Sequence, residues 1–441
     1  MKQLQHSMMK ALLILVSSVF TTTIAAQSTK QLTLDEAISS ALSNNKAVQL
    51  AKMDETIATA NYQQTEAIYL PQVGLSYTAF STNNPLNAFG FKLQQKSIAQ
   101  NDFNPDLLNH PGATPDFTTK LEVQQPIINL DAVYMRKGAA KQIEVYQYKT
   151  QRTKEYITFE VQKAYLQLQL AYDAVTVLED ALATTKALYT FTENHFKQGL
   201  IQKSDLLNVQ VQVAGLENNL AKANSNIGNA SDYLSALMGQ PLGTLYTATK
   251  TVFTTITKDS IANTRADFMA MQKAIDASNL MIQSSKMSHL PKLNGFGDYQ
   301  LNDSRMLGFG AGAYLVGAQL SWNIFQGHKT KNTIAAQTLE RNKLAAQLAQ
   351  QKEQSNVELS KAKRDIIDAQ SEITKQKIAI EQSAEALRIL QNRYEQGLVN
   401  TTDVMMATTQ LSQQKFGLAQ AIFNQNLSKA YTQLLTSSVT K

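Results

Sequence analysis

The chain writes one short passage twice. Residues 194–207 read NHFKQGLIQKSDLL and residues 392–405 read NRYEQGLVNTTDVM, so Asn, an aromatic residue, Gln-Gly-Leu, a β-branched residue and Asp recur at a spacing of 198 residues. The register persists upstream. Alternating steps of three and four back from Gly199 meet Phe196, Thr192, Tyr189, Thr185, Leu182, Leu178, Val175, Ala171, Leu168, Ala164, Val161 and Ile157. The same steps back from Gly397 meet Tyr394, Leu390, Leu387, Ser383, Ile380, Gln376, Ile373, Ala369, Ile366, Ala362, Leu359 and Ser355. Both sets are heptad seams, mostly apolar and softened by Ala, Ser, Thr and Gln. A duplicated long helix with a narrow seam restricts the chain to an elongated, helix-paired assembly.

A second match extends the duplication. Tyr69-Leu-Pro-Gln-Val-Gly-Leu75 aligns with His289-Leu-Pro-Lys-Leu-Asn-Gly295 at an offset of 220, so the first copy carries 22 extra residues between Pro71 and Ile157. The segment Asn83 to Pro115, rich in Asn, Asp, Gly and Pro without clean periodicity, is the expected site, read as a long loop. Each copy then has one order. A helix comes first, Leu34 to about Ile68 and Arg265 to about Ser288, and stops before a Pro. A strand follows: in Gln72 to Ala79, Val73, Leu75, Tyr77 and Ala79 share one face, and Gln72, Gly74, Ser76 and Thr78 the other. Its partner is Thr119 to Ile127 in the first copy and about Leu307 to Phe325 in the second, where Tyr314, Val316, Ala318, Leu320, Trp322 and Ile324 alternate with small or polar residues. Such two-faced strands are long enough to cross a bilayer when tilted. Asp131 to Gln198 reads as one unbroken helix of 68 residues, about 100 Å long. Gly199 and Gly397 fit the left-handed position just past a helix end. Ser204 and Thr402 are expected N-caps of the return helices, with Asp205 and Asp403 in the first turn. Those helices run to about Leu237 and Leu434, and Gly239 to Thr264 reads as a linker or small irregular segment. The expected organisation is 1–26 signal peptide, 27–238 first repeat, 239–264 linker and 265–441 second repeat.

Residues 1–26 carry the signal-peptide pattern: Lys2 and Lys10, an apolar run Ala11 to Phe20 too short to span a bilayer, and small residues Thr23, Ala25 and Ala26. The chain has no cysteine, so it is held by burial or oligomerisation rather than disulfides, and no acylated Cys anchors it. No other stretch is apolar enough for a transmembrane helix, so a membrane role has to use strands. Lys and Arg number 41 against 35 Asp and Glu, and they are scattered. That excludes the footprint of a nucleic-acid binder. His110, His195, His289 and His328 fall in separate elements without metal-ligand spacing, and neither a phosphate loop nor a nucleophile elbow is present. The residues therefore predict no enzyme, no cofactor and no metal.

Four amphipathic strands cannot close a barrel without leaving an edge in lipid, and even small barrels need about eight. The strands must be pooled from several copies. The signal peptide, the duplicated helix–hairpin–long helix–Gly turn–helix unit, the LPQV and LPKL strand starts and the QGL…D turns together resemble the TolC family of outer-membrane efflux and secretion factors, over essentially the whole mature chain. The resemblance implies a mainly α protein with a membrane β-barrel. It implies a homotrimer in which each protomer gives four strands to a twelve-stranded barrel and its helices to a coiled-coil tunnel across the periplasm. It implies partners as well: a periplasmic adaptor protein, an inner-membrane pump and outer-membrane lipid. Gly199, Leu200, Gly397 and Leu398 match the family's adaptor-docking tip turns, although Gly at a helix end explains itself without a partner. Asp403 matches a pore-gate position, with Asp205 its counterpart in the first copy. The companion acidic position is Met406 and the basic latch position is Val399, so a family-style polar latch is not expected, and a first-turn role at the helix dipole stands beside the gate. The implied function is a passive efflux or type I secretion conduit in the outer membrane. The alternative from another class is a secreted coiled-coil or adhesin stalk.

Overall fold

The computed structural model describes residues 29–251, 253 and 260–438. The expected signal peptide lies outside these residues, as does part of the expected linker. Chain order is β1 Lys30–Leu32, α1 Leu34–Asn44, α2 Lys46–Gln64, β2 Gln72–Thr82, α3 Pro85–Gln94, α4 Pro105–Asn109, β3 Thr114–Ile128, α5 Leu130–Lys197, α6 Lys203–Met238, β4 Tyr246–Ala248, α7 Ala266–Met287, β5 Lys292–Asp303, β6 Ala311–Ser321, α8 Lys329–Glu395 and α9 Thr401–Leu435. The described residues fall into two compact units, each drawn from three segments: one from within 29–48, 154–253 and 358–436, the other from 49–153, 260–357 and 437–438.

The helical unit is organised by the two seams. From Ile157 to Phe196 and from Ser355 to Tyr394 every seam position is buried or half-buried. Val161, Ala164 and Leu168 of α5 pack with Ala37, Ala41 and Val48, and with Ala223, Ile227 and Leu234 of α6. The duplication reaches individual hydrogen bonds. Tyr233 Oη donates to Glu160 Oε2 (3.2 Å), and Tyr431 Oη donates to Glu358 Oε2 (2.9 Å), the same pair displaced by one repeat. Within the expected linker, β4 pairs in parallel with β1. Tyr165, fully buried, ties this two-stranded sheet to α5: its hydroxyl donates to Leu32 O (2.8 Å) and accepts from Thr249 N–H (2.9 Å).

The first helix is not continuous from Leu34 to Ile68. It breaks at Asn45, whose backbone is extended (ψ 132°) and whose buried side chain donates to Leu237 O (2.8 Å) and accepts from Ala47 N–H (2.9 Å). The end of α6 demands the break, because Gly239 is left-handed (φ +65°) and a Cβ there would meet Asn44 O at 2.8 Å. A 3-10 turn, Thr65–Ile68, then ends the first-copy helix.

The other unit holds a four-stranded antiparallel sheet ordered β2-β3-β5-β6. Cross-strand register separates its faces. Leu75, Leu121, Tyr299 and Tyr314 form one row, and Ser76, Lys120, Gln300 and Ala313 the adjacent row on the opposite face. The apolar row is exposed: Leu75 is 75% accessible and Tyr314 80%. The polar face carries Glu122 and Asp298, with Lys120 Nζ 3.4 Å from the first and 3.7 Å from the second. Large apolar residues interrupt that face at Phe80, opposite Asp116, at Phe296, opposite Gln124, and at Leu315, in the row of Glu122 and Asp298. The second-copy strands are β5 and β6. Leu307 (φ +57°) falls in the turn between them, and Trp322 to Phe325 lie past the last strand residue.

The segment Asn83 to Pro115 is not a structureless loop. It contains α3, α4 and a 3-10 turn, Gln100–Phe103. Asn84 and Asn104 accept hydrogen bonds from Asn87 N–H and Asp106 N–H, and Pro85 and Pro105 occupy the first helical position. Each Asn-Pro pair is a helix-start signal that composition masks.

Candidate functional site

The repeated passages form two tips built alike. Gly199 and Gly397 are left-handed, at φ +75° and +70°. Gly199 N–H donates to Phe196 O and Leu200 N–H to His195 O, and Gly397 N–H donates to Tyr394 O and Leu398 N–H to Arg393 O, each at 2.9 Å. This nested pair of bonds is the Schellman closure, which satisfies the last carbonyls of a helix. No atom lies within 4 Å of a Cβ added to either glycine, so the backbone angle alone requires Gly. Leu200 and Leu398 project into solvent, 64% and 61% accessible, although neither is needed to terminate a helix.

The return helices begin earlier than Ser204 and Thr402. Their N-caps are Gln202 and Asn400. Asn400 forms a reciprocal capping box: its Oδ1 accepts from Asp403 N–H (2.9 Å) and its own N–H donates to Asp403 Oδ2 (3.2 Å). Asp205 Oδ2 likewise accepts from Gln202 N–H (3.3 Å). Both first-turn carboxylates are half-buried.

The tips join across the repeats through a contact that the residue pattern did not announce. Tyr394 Oη lies 3.0 Å from Thr192 Oγ1 of α5 and 2.9 Å from Thr401 Oγ1 at the start of α9, all three residues being buried. Thr192 Oγ1 also donates to Leu188 O (2.7 Å). The Tyr394 ring packs on Phe191, centroids 5.2 Å apart, within a cluster of Leu188, Val209, Leu387 and Val404. Val399 packs against this cluster and Met406 is exposed, so neither supplies a polar group. The signal lay in the seams. Thr192 stands where the second copy has Leu390, and Tyr394 where the first has Phe196, so each copy places a hydroxyl at a seam position where the other copy has a purely apolar residue.

Among the described residues, no group of three or more His, Cys, Asp or Glu is placed to hold a metal, and no helix is long and apolar enough to cross a membrane.

Solved structures share this fold. The crystal structures of CusC match with a TM-score of 0.79 at 16% identity, covering 95% of this chain and 96% of that one. The outer membrane protein VceC from Vibrio cholerae matches at 0.76 and 18% identity, covering 92% and 96%. The CmeC outer membrane channel of Campylobacter jejuni matches at 0.77 and 15% identity, covering 91% and 85%. No curated protein matches the sequence significantly. The family model of the outer membrane efflux protein matches residues 37–240 and 259–437, both copies of the duplication. With that match across most of its length, the chain belongs to the outer membrane efflux protein family.

Proposed function

We propose that three copies of this chain form a passive outer-membrane efflux channel, conducting solutes from the periplasm to the exterior. One observation carries the reading. The sheet is two-faced, and its end strands β2 and β6, eleven residues each, have one unpaired edge apiece within the chain. With four antiparallel strands in the sheet, the two edges run in opposite directions, so β6 of one copy pairs antiparallel with β2 of the next. Closing the ring removes every edge from lipid and turns the apolar row outward. A secreted stalk has no use for such a sheet, and family membership sets that reading aside.

The exposed leucines support a docking role for the tips. Leu200, Leu207, Leu398 and Met406 offer apolar surface to a periplasmic adaptor that links the channel to an inner-membrane pump. Asp403 and Asp205 are candidates for carboxylate rings at the pore, although their capping bonds already give them a structural role. Export of proteins by a type I secretion system uses the same conduit, and the crosslinked adaptor and pump distinguish it from small-molecule efflux. The domain boundaries at 26, 238 and 264 belong to this proposal. Mass measurement in detergent tests the assembly: a trimer with conductance in planar bilayers is expected, and a stable, non-conducting monomer overturns it.

A further inference from the structure

We infer that the helical insertion at 83–113 is an internal cap, held over the polar face of the sheet so that the insertions of neighbouring copies meet and narrow the outer mouth of the channel. This rests on the barrel reading above.

The placement follows from register. Phe80 of β2 stands opposite Asp116 of β3 and shares a face with Thr78 and Ser76, the polar face. The insertion is fastened to this face. Phe91 of α3 stacks on Phe80 with centroids 5.9 Å apart, and Ala88 of α3 is buried. Gln95 Nε2 donates to Asp116 Oδ1 (2.9 Å) and to Pro115 O (2.8 Å). Asp116, almost fully buried, also accepts from Thr118 Oγ1 (2.7 Å) and from Asn302 Nδ2 of β5 (3.1 Å). One carboxylate therefore ties the insertion to β3 and β5. Lys96 Nζ reaches Gly312 O of β6 (3.1 Å). The strap thus runs from β2 to β6, three inter-strand spacings or about 14 Å. Its remaining part is cross-braced: Lys92 Nζ contacts Asp102 Oδ1 at 2.7 Å, and Phe89 meets Phe103 edge-on at 5.8 Å.

A hairpin has no need of this. Thr82 and Thr114 are already paired at the strand ends, so a two-residue turn would join them. The insertion instead presents Leu86, Leu93, Phe103 and Leu107 to solvent. Closing the barrel points the polar face inward, and these apolar residues then project into the lumen. Water is a poor neighbour for them there, and the matching insertions of the other copies are the surface that symmetry supplies.

The test reads the outer mouth directly. The chain has no cysteine, so Ser76→Cys, on the polar face below the insertion, is a unique target in intact cells. Externally added small membrane-impermeant maleimide is expected to label it, and a polymer-linked bulky maleimide to label it slowly. Replacing 83–113 by Asn-Gly is expected to speed bulky labelling severalfold and leave small-reagent labelling unchanged. Gln95→Ala with Lys96→Ala, which keeps the insertion but cuts two anchors, should lie between. Leu86→Cys alone should form disulfide-linked dimers on oxidation. Equal bulky labelling with and without the insertion overturns the cap. Failure of the small reagent to reach Ser76→Cys in assembled trimers, or a chain that stays monomeric, overturns the barrel reading instead.

Discussion

Replacing Tyr394 by Phe isolates one hydroxyl. The ring keeps its packing on Phe191 and in the tip cluster, so the change removes only the bonds to Thr192 (3.0 Å) and Thr401 (2.9 Å). A buried neutral hydrogen bond contributes about 0.5–1.5 kcal/mol net, which bounds the pair at about 1–3 kcal/mol. Thr192 keeps its donation to Leu188 O, so Tyr394 donates to Thr192 and accepts from Thr401, and only the Thr192 bond crosses between the repeats, at about 0.5–1.5 kcal/mol. Tyr394 links α5 of the first repeat to the turn of the second, a bond that separation of the tips has to break. If the described tip is the closed state, its loss favours the open state by that free energy, about two- to twelvefold in population. Open probability of the purified channel in planar bilayers is the readout. Thr192→Val should reproduce most of the increase, and combining it with Tyr394→Phe should add little, because the two share one interaction. Open probability unchanged from wild type in correctly assembled Tyr394→Phe channels refutes the latch.

Gly397→Ala should cost about 1 kcal/mol, all of it from the positive φ since no atom crowds the added Cβ, and should leave efflux measurable. Gly397→Pro also deletes the N–H donated to Tyr394 O, so a trimer that reaches the outer membrane without supporting drug efflux is expected, read by antibiotic susceptibility. Asp403→Asn keeps an oxygen for Asn400 N–H and loses only the charge at the helix start, about 0.3–1 kcal/mol. A weaker divalent-cation block of conductance assigns it to the gate, and an unchanged block leaves it a capping residue. Burial raises the Glu144 carboxyl, but hydrogen bonds from Lys141 (2.5 Å) and Lys273 (2.6 Å) outweigh it and hold the group below its usual value. Its stabilisation is therefore full above the unfolded value of about 4.3 and is lost as pH falls through the lower folded one. Glu144→Gln should flatten the loss of thermal stability on acidification through that range, and an unchanged pH profile excludes the pair as a contributor.

Features that depend on neighbours along one element were legible in the residues. The seams from Ile157 and Ser355, the left-handed glycines of both tips, the length of α5 and the two faces of β2 follow from helix and strand periods and from the φ that only glycine adopts cheaply. Asn84-Pro85 and Asn104-Pro105 were legible too, but composition outweighed them. Tertiary structure decided what depends on partners distant in sequence. Asn45 breaks a helix of good local propensity because Leu237 O and Gly239 stand against it. The N-caps Gln202 and Asn400, in place of Ser204 and Thr402, are by contrast a local matter, since each pairs with an Asp three residues on. Tyr394 finds Thr192 across 202 residues. Gln95 finds Asp116 on the polar face, and Lys96 the main-chain carbonyl of Gly312, in a sheet that the two copies build together. A local pattern specifies which groups a helix or strand presents, but hydrogen bonds between distant segments exist only after packing has brought their partners within about 3 Å.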